Sequence, residues 1–273
     1  MIGENMMLRL HMNESPYPPP GKSVEYVSRY AQYLNLYYDE ALYKELKNEL
    51  SRYVGVERDF LEPLAGSSLA LTLMLTYVKV GGLDLVTTHP TFHAIYRLVS
   101  SYGLTPKFLK LDRDTFAIDT DELLKTSEGR VVYIANPNNP TGNLLIEDPD
   151  ILRAVASRAK ALFIDETYYE FSGITFKDLV MDFNNIAVLR SFSKAFSLAG
   201  ARFGYAIVSR ELKKRLADLM IGYEISITTQ AAAVGALKDL QYVKDVVREV
   251  TQTREGTVKK LREAGVRALD TMT

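Results

Sequence analysis

The sequence predicts an α/β protein of three layers, with a mostly parallel sheet covered by helices on both faces. Six apolar runs of strand length, at 83–87, 106–111, 131–135, 161–164, 186–189 and 204–208, carry that reading. Several are near-continuous in Val, Ile, Leu and Ala, as strands buried on both faces must be. Helical patterns at 68–77, 92–101, 120–126 and 148–160 lie between them, the alternation that builds parallel crossovers. The 273 residues are 47% hydrophobic and 25% charged, a globular balance with enough apolar mass for a large core.

The elements follow in order. Pro16, Pro18, Pro19 and Pro20 make 13–21 an extended arm, since proline fits neither a helix interior nor a central strand. A helix is expected from Lys22, with Tyr26, Tyr30, Tyr33 and Tyr37 repeating at helical spacing, and a second at 41–53 stopped by Gly55. After the strand–helix region, 210–222, 228–240 and 243–264 read as helices. Val243, Val246, Val247, Val250, Val258 and Leu261 share one side of the last. The expected division is an arm and first helix over 1–40, a large domain over 41–240, and over 241–273 a long helix with the start of a small C-terminal domain that does not finish.

Composition removes several functions. Lys and Arg number 33 against 34 Asp and Glu, a net charge of −1 without the basic excess of a nucleic-acid binder. Without cysteine there is no disulfide, thiol nucleophile or thiolate metal site, and three histidines make a His-rich metal centre a poor expectation. No window reaches the ~18 uninterrupted apolar residues of a membrane span, and the first residues do not read as a signal peptide. The expectation is a cytoplasmic protein without a metal, membrane or nucleic-acid partner.

In doubly wound sheets ligands bind beyond the carboxyl ends of the strands, and there the polar residues gather. After 131–135 comes Asn136-Pro-Asn-Asn-Pro-Thr-Gly142, a rigid loop whose amides offer donors and acceptors. After 161–164 comes Asp165-Glu-Thr-Tyr168; a carboxylate at the end of a buried strand calls for a cation or several donors, or else caps a helix. After 186–189 comes Ser191-Phe-Ser193-Lys194, with Arg202 eight residues on. Desolvation and a neighbouring cation would turn Lys194 from an ordinary surface charge into an amine able to form a Schiff base. Ser191, Ser193 and Arg202 can hold a phosphate, as can Gly66, Ser67 and Ser68 where they open a helix. Phe92 is either a ring-stacking residue or core filler. A carbonyl for Lys194, a ring nitrogen for Asp165, a phosphate and a flat face together describe pyridoxal phosphate.

On these strings the sequence resembles the fold-type I pyridoxal-phosphate aminotransferases of class I/II, and among them the histidinol-phosphate aminotransferase group. The resemblance runs from Asn13-Glu-Ser-Pro-Tyr17 to the last helix, with Ser15 where a second Asn is usual and no acidic residue at 67–69. It implies that Lys194 is the Schiff-base lysine and moves the substrate proton, and that Asp165 pairs with the pyridine nitrogen. Asn139 and Tyr168 would hold the phenolic oxygen. Gly66, Ser67, Ser68, Ser191, Ser193 and Arg202 would hold the phosphate, and Phe92 would cover the ring. Tyr37 would reach the phosphate in a partner subunit, making a homodimer. The implied reaction moves an amino group between an amino acid or amino-alcohol phosphate, of histidinol-phosphate or aromatic type, and a 2-oxo acid. The arginine that clamps the substrate carboxylate in such proteins has no match, Arg262 and Arg267 lying too early. Two alternatives therefore stand beside transamination: a decarboxylase or lyase of the same fold, and a cofactor-binding protein without transaminase turnover.

Overall fold

The computed structural model describes residues 11–273, and all that follows refers to them. Seven strands form one sheet: β1 (Leu61–Leu64), β2 (Leu85–His89), β3 (Lys107–Lys110), β4 (Val131–Ala135), β5 (Ala161–Asp165), β6 (Ile186–Ser191) and β7 (Gly204–Val208). Their order is β1-β7-β6-β5-β4-β2-β3. Pairing is parallel from β3 across to β6, whereas β7 runs antiparallel to both β6 and β1. The sheet is thus mostly parallel, as expected. The sequence reading missed β1, because Leu-Glu-Pro-Leu is short and contains a proline that only an edge strand accommodates.

Alternation along the central strands divides the core in two. Val132, Ile134, Leu162, Ile164, Ile186, Val188, Tyr205 and Ile207 point to one face; Val131, Tyr133, Ala161, Phe163, Ala187, Leu189, Ala206 and Val208 point to the other. The first face is covered by residues of α2 (Glu40–Val54), α5 (Thr120–Thr126), α6 (Pro149–Arg158), α8 (Leu179–Asp182), α10 (Ile227–Leu237) and the start of α11 (Leu240–Glu263). The second is covered by α3 (Ser67–Val80), α4 (His93–Ser101) and α9 (Arg210–Ala217). These two layers and the sheet are the three layers that the sequence predicts.

Several boundaries differ from the sequence reading. The first helix, α1 (Gly21–Tyr30), passes into a 3-10 turn at Ala31–Tyr33, so Tyr37 lies beyond it and not on one tyrosine stripe. The expected helix at 210–222 ends at Ala217, and Gly222 and Tyr223 adopt positive φ in the connection that follows. In α11 only Val243 and Val246 of the predicted apolar side are buried, and Leu261 is 40% exposed. Residues 265–273 form neither strand nor helix. No described helix is long and apolar enough to cross a membrane.

Candidate active site

Because β1, β2, β4, β5 and β6 run the same way and β7 runs against them, the loops after β1, β2, β4, β5 and β6 meet the start of β7 at one edge. Register fixes the row: Leu64 pairs with Gly204, Gly204 with Ser191, and Asp165 with both Ala135 and Leu189. Chain order thereby becomes a spatial cluster.

Asp165 ends β5 and is buried. Its Oδ2 accepts from the Tyr133 hydroxyl at 2.8 Å, and its Oδ1 accepts from the Thr167 N–H at 3.0 Å and hydroxyl at 2.6 Å. Burial pushes the carboxyl pKa up, and the donors of Thr167 and Tyr133 act against it. Tyr168 is also buried; its hydroxyl accepts from Asn13 Nδ2 at 3.0 Å, which leaves its own proton to donate. Burial raises its pKa as well.

Lys194 follows β6 and is half-buried. Its Nζ lies 5.9 Å from the Tyr168 ring centroid and donates to the carbonyls of Met12 and Asn13, each at 3.0 Å. The arm thus lies directly against the amine. Desolvation lowers the ammonium pKa; Glu14 opposes this, and Arg202 adds to it by repulsion. Ser197, in the turn after Lys194, donates to Ser15 of the arm at 2.7 Å.

The residues that the sequence offers for an anion come together where β1 meets β7. Gly66 has φ +80°, and a Cβ there would stand 2.8 Å from Arg202 Nη2, so the turn needs glycine. Arg202, itself at φ +55°, donates from Nη2 to Ser68 Oγ at 3.2 Å. Ser67 opens α3, the helix end where backbone N–H groups and the dipole favour an anion. Ser191 Oγ accepts from the Ser193 N–H at 3.2 Å, which tightens the turn into Lys194.

The asparagine loop is built from within. Asn136 accepts from the N–H groups of Leu145 and Ile146 and donates to the Ile146 carbonyl; Asn138 donates to Pro90 and Thr141. Asn138 Oδ1 and Thr91 Oγ1 are sealed from solvent without a hydrogen-bond partner. Asn139 is half-buried, and among the described residues its amide makes no hydrogen bond. Phe92 caps α4 with its ring edge-on to His93, 4.8 Å between centroids.

Tyr37 is not brought to this cluster by its own chain. It is 84% exposed, with its ring 6.3 Å from that of Tyr223, at the rim of an apolar cavity of about 410 Å³. That cavity lies against Leu73, Phe163, Leu189 and Val208, with Glu62, Lys213 and Glu224 also in its lining. Arg262 and Arg267 pair with Asp270 and Asp114 on the surface. Sequence reasoning passed over Tyr133 and Thr167, the two residues that orient Asp165. Tyr133 stood inside an apolar run, although strand alternation could have placed it on the Asp165 face.

The family model for aminotransferase class I and II matches residues 5–272. Histidinol-phosphate aminotransferase of Sulfurisphaera tokodaii is 33% identical over 271 residues, 97% of this chain and 76% of the relative. Histidinol-phosphate aminotransferase 2 of Archaeoglobus fulgidus is 33% identical over 261 residues, 94% and 73% of the two chains. Among solved structures, histidinol-phosphate aminotransferase from Sinorhizobium meliloti in complex with pyridoxal-5'-phosphate superimposes with a TM-score of 0.83. Its identity is 24%, over 96% of this chain and 72% of that one, so this likeness speaks to the fold.

Proposed function

Since the chain belongs to the aminotransferase class I and II family, we propose that it is a pyridoxal-phosphate-dependent aminotransferase acting on an amino-alcohol phosphate of histidinol-phosphate type, with a 2-oxo acid as the other partner. The observation that carries the proposal is the meeting of Lys194, Asp165 and Tyr168 with the Gly66–Ser68/Arg202 turn at one edge of the sheet. The donor set fits the group. The turn is cationic, shaped for close approach and open at a helix start. When bound, pyridoxal phosphate supplies an electron sink for the bond broken at the substrate α-carbon.

Each residue then has a task. Arg202, Ser68, Ser67, Ser191, Ser193 and the Gly66 turn hold the phosphate with charge-assisted hydrogen bonds. Asp165, oriented by Tyr133 and Thr167, accepts from the protonated ring nitrogen and keeps that proton in place. Tyr168 donates its remaining proton to the phenolic oxygen, and Asn139 offers its amide beside it. Phe92 covers the ring. Lys194, whose pKa burial lowers, would supply the amine for the group's carbonyl carbon and would move the proton at the substrate α-carbon. Met12 and Asn13 sit against the amine and help to exclude water.

Two coarser proposals accompany this one. Tyr37, exposed within its own chain, serves the phosphate site of a second copy, so the working unit is a homodimer. The chain divides into an arm to residue 40, a cofactor domain over 41–240 and a unit led by the long helix from 241. The test is direct. Purified protein incubated with pyridoxal phosphate should develop a visible absorption band that Lys194→Ala abolishes, and should convert histidinol phosphate in a panel of amino donors and 2-oxo acids. Protein that takes up no cofactor would overturn the proposal. Carbon dioxide release without transamination would replace it with the lyase reading.

A further inference from the structure

The residues next in sequence to the site form a second polar cluster on the opposite face of the sheet. Asp165 precedes Glu166, Tyr168 precedes Tyr169, and Arg190 precedes Ser191. Alternation sends Glu166 and Arg190 away from the face that carries Asp165 and Ser191. There the Arg190 guanidinium donates to Glu166 Oε2 from Nε at 3.1 Å and from Nη2 at 2.9 Å. It also donates to Thr175 Oγ1 at 2.7 Å and to the Tyr205 hydroxyl at 3.4 Å. Glu166 accepts further from the Thr175 hydroxyl at 2.9 Å and the Phe176 N–H at 2.6 Å. The guanidinium carbon stands 3.5 Å from the centroid of the Tyr169 ring. Glu166 and Arg190 are both almost fully buried.

An ion pair buried this deeply is a poor device for stability, because desolvating two charges offsets most of their attraction. What it supplies is direction. A planar fork that meets a carboxylate and stacks on an aromatic face accepts few alternative geometries. Here the fork joins the end of β5, the turn carrying Tyr168 and Tyr169, and the end of β6. These are the three backbone segments from which Asp165, Tyr168 and Ser191 project into the site. We propose that the Glu166–Arg190 pair is a positioning device, aiming Asp165, Tyr168 and Ser191 from behind the sheet. This rests on the reading of Asp165 as the partner of the cofactor ring.

A double-mutant cycle tests it. Wild type, Asp165→Asn, Glu166→Gln and the double variant are compared by titrating apo-protein with pyridoxal phosphate, by the pH midpoint of the visible band, and by thermal melting. Glu166→Gln should bind the cofactor about tenfold more weakly, the usual scale for a residue supporting a ligand, and should displace the pH midpoint. In the Asp165→Asn background the same change should add less than about threefold, because the residue it acts through is already altered. Full additivity, or a Glu166→Gln protein with wild-type affinity and pH midpoint, overturns the proposal. Wild-type cofactor behaviour in Asp165→Asn alone overturns the reading of Asp165 instead. Since Glu166→Gln strands a buried guanidinium and can prevent folding, Thr175→Val is the second variant. It removes one hydrogen bond from each partner and should give a smaller change of the same sign; unchanged affinity and midpoint there also overturn the proposal.

Discussion

Gly204→Ala probes the join between fold and site. Gly204 opens β7, between Leu64 of β1 and Ser191 of β6. A Cβ there would stand 2.5 Å from the Ser67 nitrogen, 2.8 Å from the Gly66 carbonyl carbon and 2.9 Å from the Arg190 oxygen. All three are backbone atoms, so no side chain can rotate away, and restoring ordinary contact with Ser67 needs a shift of about 0.9 Å. Overpacking of this kind costs about 1–3 kcal/mol, and backbone obstacles argue for the upper half of that range. At about 2–4 °C per kcal/mol for a chain of this order, melting should fall by roughly 4–12 °C. The displaced segment is the turn that meets the phosphate. Losing one charge-assisted hydrogen bond there, about 1.5–3 kcal/mol, should weaken pyridoxal phosphate binding by about 10- to 100-fold. Pyridoxal, which lacks the phosphate, should lose much less. Titrating the variant with both compounds and melting it without either gives the two readouts. Wild-type melting, or an equal loss for both compounds, would refute the reasoning.

Further outcomes follow from other contacts. Gly235 of α10 faces α1 so closely that a Cβ would collide with the Lys22 carbonyl and stand 2.6 Å from Ser23 Cα; Gly235→Ala should lower the melting temperature by several degrees, with cofactor affinity retained once folded. Glu170 has an Oε2 sealed from solvent without a partner, and burial pushes its carboxyl from 4.5 up to about 7. The folded state therefore holds a proton that the unfolded state releases, so stability falls as pH rises from about 4.5 to about 7 and stays reduced above it. Glu170→Gln, whose amide oxygen can still accept from the Tyr53 hydroxyl, should raise melting above pH 7 and lose that advantage below pH 4.5; a pH-independent difference would contradict this. For Tyr37, mixed dimers carrying Tyr37→Phe in one subunit should bind cofactor more weakly in only one of their two sites, and equal binding in both would remove the proposed exchange.

The central sheet was legible because nothing competes with its signal. Val131–Ala135 and Ala161–Ile164 are short apolar runs that stop at Asn136 and Asp165, and burial on both faces demands such runs. Leu61–Leu64 was not legible. Its Glu62 and Pro63 suit an edge strand, and only pairing with β7, more than 100 residues away, makes it one. The tyrosine repeat misled for the opposite reason: Tyr26 and Tyr30 do stack within α1, at 6.4 Å, but spacing alone cannot tell where a helix stops. No glycine or proline punctuates the chain between Tyr30 and Tyr37, and α1 ends in a 3-10 turn without a sequence marker.

The candidate site divides along the same line. Lys194, Asp165, Tyr168 and Arg202 could be named from the sequence because each sits where a buried run meets a loop, and a parallel sheet gathers such junctions at one edge. What aims them could not be named. Tyr133 lies inside an apolar run, where a one-dimensional pattern reads it as filler, and Arg190 lies directly after one; their partners Asp165 and Glu166 are 32 and 24 residues distant. Strand alternation supplies the missing step. Once β5 and β6 are paired in register, a polar residue within a buried run must face one core or the other, and burial obliges it to find a partner there. Tyr133 then falls on the Asp165 side and Arg190 on the Glu166 side. The two polar residues thus serve opposite faces of one sheet, Tyr133 bonding Asp165 on the site's side and Arg190 bonding Glu166 behind it.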